Sequence, residues 1–86
     1  MTFKVFLHRK AAKFLEDANP RDRERVKEGL KSLQDFPAAG LDLVKISGED
    51  NVYRVRFGKL RALFKVYKSE KTIVIVKIDH RKRVYG

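Results

Sequence analysis

Cysteine and tryptophan are both absent from this 86-residue chain. Without a thiol there is no disulfide framework, no thiolate metal ligand and no redox-active sulfur. The two histidines, His8 and His80, have no carboxylate cluster beside them in sequence, so neither a structural metal site nor any cofactor is expected. No apolar run approaches the ~20 residues that span a bilayer, and the opening Met-Thr-Phe-Lys does not resemble a signal peptide. There is no repeat, no low-complexity tract and no linker long enough to divide domains. The expectation is one soluble cytoplasmic domain over residues 1–86, with a single modest core and no membrane partner.

Negative charge is also scarce. Eleven Asp and Glu face 21 Lys and Arg, a net charge of +10. The excess is uneven: residues 1–43 carry 9 basic and 7 acidic side chains, residues 44–86 carry 12 and 4. A strongly cationic half suits a polyanionic partner through counterion release and long-range attraction. It suits a merely well-solvated basic surface equally well, so charge narrows the partner and not the reaction.

Periodicity supplies the architecture. Thr2–His8 alternates around Phe3, Val5 and Leu7 and reads as a strand. From Arg9 to Ala18 the spacing of Ala11, Phe14, Leu15 and Ala18 is that of one helix face. Asn19-Pro20 ends that helix and starts another, Asn19 as N-cap and Pro20 at the first helical position, with Val26, Leu30 and Leu33 continuing to about Phe36. Gly29 inside the second helix costs about 1 kcal/mol relative to alanine, which close packing would explain. After a loop at Phe36–Gly40 the signal is all strand: Leu43–Ile46, Val52–Phe57, Leu60–Tyr67 and Thr72–Asp79. The last, T-I-V-I-V-K-I-D, reads as a central strand covered on both faces for much of its length. The fold class expected is α+β, in the order β-α-α-β-β-β-β, with a helical hairpin on one side of an antiparallel sheet.

The cations fall into this frame unevenly. Arg54 and Arg56 share a strand face about 7 Å apart. If Gly58-Lys59 is a two-residue turn, Phe57 pairs with Leu60 and Arg61 stands opposite Arg56 on the face away from the core. Like charges opposed in a sheet destabilise it, so three together are either fully solvated or held for an anion. The tail His80-Arg81-Lys82-Arg83-Val84-Tyr85 adds three more cations, an imidazole and a phenol. Tyr53 belongs to the core face, His8 to a strand-to-helix junction, and Tyr67 either ends a strand or stacks on a base.

The segment Y-R-V-R-F-G-K-L-R-A-L-F-K-V-Y, followed by a β-branched strand and H-R-K-R-V-Y, resembles the RelE/ParE toxin superfamily across essentially the whole chain. The resemblance implies a small toxin of a type II toxin–antitoxin pair. RelE-type members cut mRNA on the ribosome without metal: the ribose 2′-OH attacks the adjacent phosphate, leaving a 2′,3′-cyclic phosphate and a 5′-OH. ParE-type members inhibit DNA gyrase and are not nucleases. By the same resemblance Arg54, Arg56, Arg61, Arg81 and Tyr85 are catalytic candidates; His80 joins them from its place at the strand end, and Lys59, Lys82 and Arg83 are candidate RNA or phosphate contacts by their charge. The implied partners are the ribosome, mRNA and a small, acidic, partly disordered antitoxin.

One departure stands out. RelE-type sites commonly carry lysines where this chain has Arg54 and Arg56. Arginine suits phosphate recognition through its planar fork, yet it does not give up its proton. His80 is the substitute base this reading expects, with Tyr85 orienting the nucleophile or stacking on a base. A non-enzymatic gyrase inhibitor and an inactive nucleic-acid-binding relic remain the alternatives.

Overall fold

In a computed structural model of the chain, residues 2–37 and 40–80 are described. Helix α1 (Arg9–Asp17) begins at His8, whose Nδ1 accepts the Lys10 backbone N–H at 3.2 Å. Asn19 caps helix α2 (Pro20–Leu33) by accepting the Asp22 N–H at 2.8 Å, with Pro20 as the first helical residue. Both helices stop short of the expected Ala18 and Phe36. Beyond Leu33 the N–H groups of Gln34, Asp35 and Phe36 reach back only three residues, to Lys31, Ser32 and Leu33, which tightens the chain into a turn. Arg23 locks the hairpin. Its Nε donates to the Leu15 carbonyl at 3.1 Å and its Nη2 to those of Ala18 and Glu16 at 2.9 and 3.3 Å, satisfying acceptors that the end of α1 leaves open.

The strands are β1 (Lys4–Leu7), β2 (Asp42–Lys45), β3 (Val52–Phe57), β4 (Leu60–Tyr67) and β5 (Thr72–His80), in the spatial order β1-β5-β4-β3-β2. The expected α+β class holds, but the sheet is mixed. β2 through β5 form an antiparallel meander, whereas β1 runs parallel to β5. The helical hairpin carries the chain from β1 to the far edge. The meander then returns to β1 with β5 pointing the same way, the long connection a parallel pair requires.

Both helices cover one face of the sheet. Val55, Phe57, Leu60, Ala62, Phe64, Val66, Ile73, Ile75 and Ile78 meet Ala11, Val26 and Leu33 there, all 4% exposed or less. Gly29 lets α2 approach closely, since a Cβ there would lie 2.8 Å from Phe57 Cζ and nearer still to Cδ1 and Cε1. Tyr53 is on the core face as expected, its ring stacked on Phe64 with centroids 5.6 Å apart. The opposite face is open among the described residues: Phe6 and Tyr67 are 54% and 39% exposed. Among the described residues β5 is therefore covered on one face, not two, and its unbroken β-branched run reflects strand propensity as well as burial. No helix among the described residues is long and apolar enough to cross a membrane.

A candidate anion-binding face

The hairpin register fixes the site. Phe57 pairs with Leu60 and Arg56 with Arg61, so Gly58-Lys59 is the two-residue turn that the sequence suggests. Gly58 takes φ +63°, the requirement of a II′ hairpin at its first turn position. Since Val55, Phe57, Leu60 and Ala62 are buried against the helices, period-2 alternation sends Arg54, Arg56 and Arg61 to the open face. The structure thus brings these three expected site residues together, Arg54 one pleat along β3 from Arg56. Arg54 and Arg61 are half-buried and Arg56 is exposed.

Two carboxylates complete the row. Asp42 pairs with Arg56 across β2–β3, and Asp79 pairs with Arg61 across β4–β5. Reading across the sheet, the side chains on one line are Asp42, Arg56, Arg61 and Asp79. Asp42 Oδ2 and Arg56 Nη2 form an ion pair at 2.6 Å. Asp79 is half-buried, and its Oδ1 accepts the His80 backbone N–H at 2.7 Å. A pair of opposed guanidinium groups bracketed by acids is an electrostatically tolerable sheet, and it remains a fork-shaped receptor for phosphate oxygens.

His80 does not join this row. It pairs with Leu60, so its side chain lies on the helix side of the sheet, where its ring meets Phe14 of α1 edge-on at 5.9 Å between centroids. The cause is a β-bulge. Leu63 pairs with Lys77 but Phe64 pairs with Ile75, which leaves Val76 as an extra residue on β5. Unbroken alternation from Ile75 would carry Asp79 to the helices and His80 to the open face. The inserted residue reverses that phase, the local re-aiming that bulges produce.

Lys59 is exposed in the turn. Arg81, Lys82, Arg83 and Tyr85 lie outside the described residues. Tyr67 is on the open face with the Lys65 ammonium 5.4 Å from its ring centre. Sequence reading missed Asp42, Asp79 and Arg25. The Arg25 side chain of α2 packs over the β3–β4 turn: a Cβ on Gly58 would lie 2.8 Å from its Cδ. Asp42 was within reach of a register argument, being one residue before the expected Leu43–Ile46 strand. Asp79 was not, because a bulge leaves no mark on hydrophobic alternation in a run this apolar.

Two helices over one face of a five-stranded mixed sheet, with arginines on the bare face, define a small α+β domain whose likeness extends to known proteins. Residues 5–85 match the model of the ParE toxin of type II toxin–antitoxin systems, parDE. RelE1 of Methanocaldococcus jannaschii is 34% identical over 87 residues, covering 99% of this chain and 97% of that one. The crystal structure of the archaeal RelE–RelB complex from Pyrococcus horikoshii OT3 superposes with a TM-score of 0.83 at 28% identity, over 98% of this chain and 100% of the other. The RelB–RelE antitoxin–toxin complex from Methanococcus jannaschii gives 0.74 at 29% identity, over 91% and 92%. The chain belongs to the RelE/ParE family. It is a toxin of a type II toxin–antitoxin system.

Proposed function

We propose that this toxin is a ribosome-dependent mRNA endonuclease that stops translation in the cytoplasm. A cognate antitoxin that is small, acidic and partly disordered neutralises it; the solved complexes of its relatives, which pair RelE with RelB, support an antitoxin partner. The observation that carries the reading is the direct pairing of Arg56 with Arg61, with Arg54 beside them, on a sheet face the helices leave bare. Three guanidinium groups converging from two strands fit a phosphodiester whose charge grows in the transition state. The cut is metal-independent. The 2′-oxygen bonds to phosphorus, the bond to the 5′-oxygen breaks, and the products are a 2′,3′-cyclic phosphate and a 5′-OH. By family resemblance, Arg81 adds charge and Tyr85 holds the nucleotide. His80, on the helix side, is not part of the arginine row. The chain depends on the ribosome to hold mRNA in line for attack, which is worth several kcal/mol as orientation.

The test is cell-free translation with primer extension to map mRNA ends. Wild-type protein should inhibit and generate new 5′ ends, while Arg61→Ala, Arg81→Ala and Tyr85→Phe should each lose most of that activity. One oxyanion-type donor is worth about 10²–10³ in rate. Full inhibition by all three variants would refute the assigned site. The ParE description of the matching family model favours one second reading, a non-enzymatic gyrase inhibitor. Loss of DNA supercoiling with mRNA left intact would establish that reading instead.

A further inference from the structure

An endonuclease of this kind needs a group that takes the 2′-hydroxyl proton, and the arginine row does not supply it: guanidinium groups keep their protons at any working pH. His80 stands on the helix side against Phe14. We infer that Asp79 is the general base of the reaction. The inference deepens the endonuclease reading and rests on it.

Asp79 has the position for this role. It is the register partner of Arg61 on the open face, one strand step of about 4.8 Å from it. A phosphate held in the fork between Arg56 and Arg61 would present its neighbouring ribose within reach of the β5 edge of that row. Asp42, the other carboxylate on the line, is engaged with Arg56 at 2.6 Å and stands on the far side, beyond β3. Lys77 is one pleat away, opposite Leu63. The His80 N–H donating to Oδ1 at 2.7 Å fixes the Asp79 carboxyl group against its own strand end.

The bulge gives the inference its specificity. Val76 is the extra residue that turns Asp79 toward the arginines and His80 away from them. Bulges are enriched where a strand must re-aim a side chain beside an active site. In the step itself, the Asp79 carboxylate takes the 2′-hydroxyl proton as the 2′-oxygen bonds to phosphorus. The phosphorus–5′-oxygen bond breaks, the leaving oxygen takes a proton from water, and Asp79 returns its own proton to solvent.

The test compares wild type, Asp79→Asn and Asp79→Glu in single-turnover cleavage on ribosomes holding an mRNA that the wild type cuts. The mRNA is made in two forms, with an oxygen or a sulfur as the 5′-bridging leaving atom. Sulfur needs no proton to leave, so it rescues loss of an acid but not loss of a base. Asp79→Asn, near-isosteric and checked for native unfolding by circular dichroism, should lower the maximal rate by about 10²–10⁴. Half-saturation should not change, and the deficit should be the same on the sulfur substrate. Asp79→Glu should recover part of the rate. Wild-type rates in Asp79→Asn, rescue by sulfur, or a defect confined to half-saturation would each overturn the assignment. A wild-type protein that cuts no ribosome-bound mRNA would overturn the endonuclease reading itself.

Discussion

Replacing Gly29 with alanine sets two opposing effects against each other. Gly29 lies in the interior of α2 (Pro20–Leu33), where alanine is favoured over glycine by about 1 kcal/mol. Against this, the new Cβ would stand 2.8 Å from Phe57 Cζ and closer to Cδ1 and Cε1. Three atoms of one ring are involved, and Phe57 is only 4% exposed, so either the ring or the whole of α2 must move. Overpacking of this kind costs typically about 1–3 kcal/mol, and so close a contact with a buried ring belongs at the upper end. The net expectation is a loss of about 2 kcal/mol, or roughly 8–16 °C in Tm for a domain of this size. Urea and thermal unfolding followed by circular dichroism should be run on Gly29→Ala, Phe57→Leu and the double variant. Once leucine has replaced the ring, the alanine methyl has room and only its helix preference remains. Gly29→Ala should then be neutral or stabilising in the Phe57→Leu background, giving a coupling of about 2–3 kcal/mol. Equal effects in both backgrounds, or a stabilised single variant, would refute this account of how α2 seats against Phe57.

Arg23→Ala should destabilise the chain by about 1–3 kcal/mol in urea, because it removes donors to the Leu15, Glu16 and Ala18 carbonyls. Arg23→Lys should restore only part of this, since an ammonium lacks the fork geometry. Gly58→Ala should lose about 1–2 kcal/mol, because φ is +63° at that position, and Arg25 must also move. Asp42→Asn should change stability by less than about 1 kcal/mol, its ion pair with Arg56 being 45% and 49% exposed. A loss beyond 2 kcal/mol (a ceiling well above that of exposed pairs) would show that the pair holds the β2 edge in place.

Most of the fold was legible because it rests on local rules. Asn19-Pro20 carries the signals that end one helix and start the next, Gly58-Lys59 between alternating runs carries those of a hairpin turn, and that turn sets Arg56 opposite Arg61. The parallel pairing of β1 with β5 was not legible. It depends on where the chain returns after the helical hairpin, and no periodicity within β1 records its neighbour. The site was half legible for the same reason. Arg54, Arg56 and Arg61 follow from alternation within one hairpin. The choice between Asp79 and His80 depends on a single unpaired residue, Val76, in a strand apolar enough to accept either phase.

That phase has an electrostatic consequence. With His80 on the open face and Asp79 on the helix side, Lys77 would stand opposite Ala62, in the place that Ile78 now fills at 3% exposure, and the Arg56–Arg61 pair would lose one of its two flanking acids. Opposed like charges in a sheet destabilise it by some tenths to about 1 kcal/mol, and a charge placed in a core costs several times more. The bulge avoids both penalties. The ammonium and guanidinium excess of residues 44–86 therefore does not have to be dispersed evenly over the surface for the chain to fold. Part of it can be gathered on one bare face, where three arginines and two carboxylates leave a net charge of +1 for an incoming phosphate to meet.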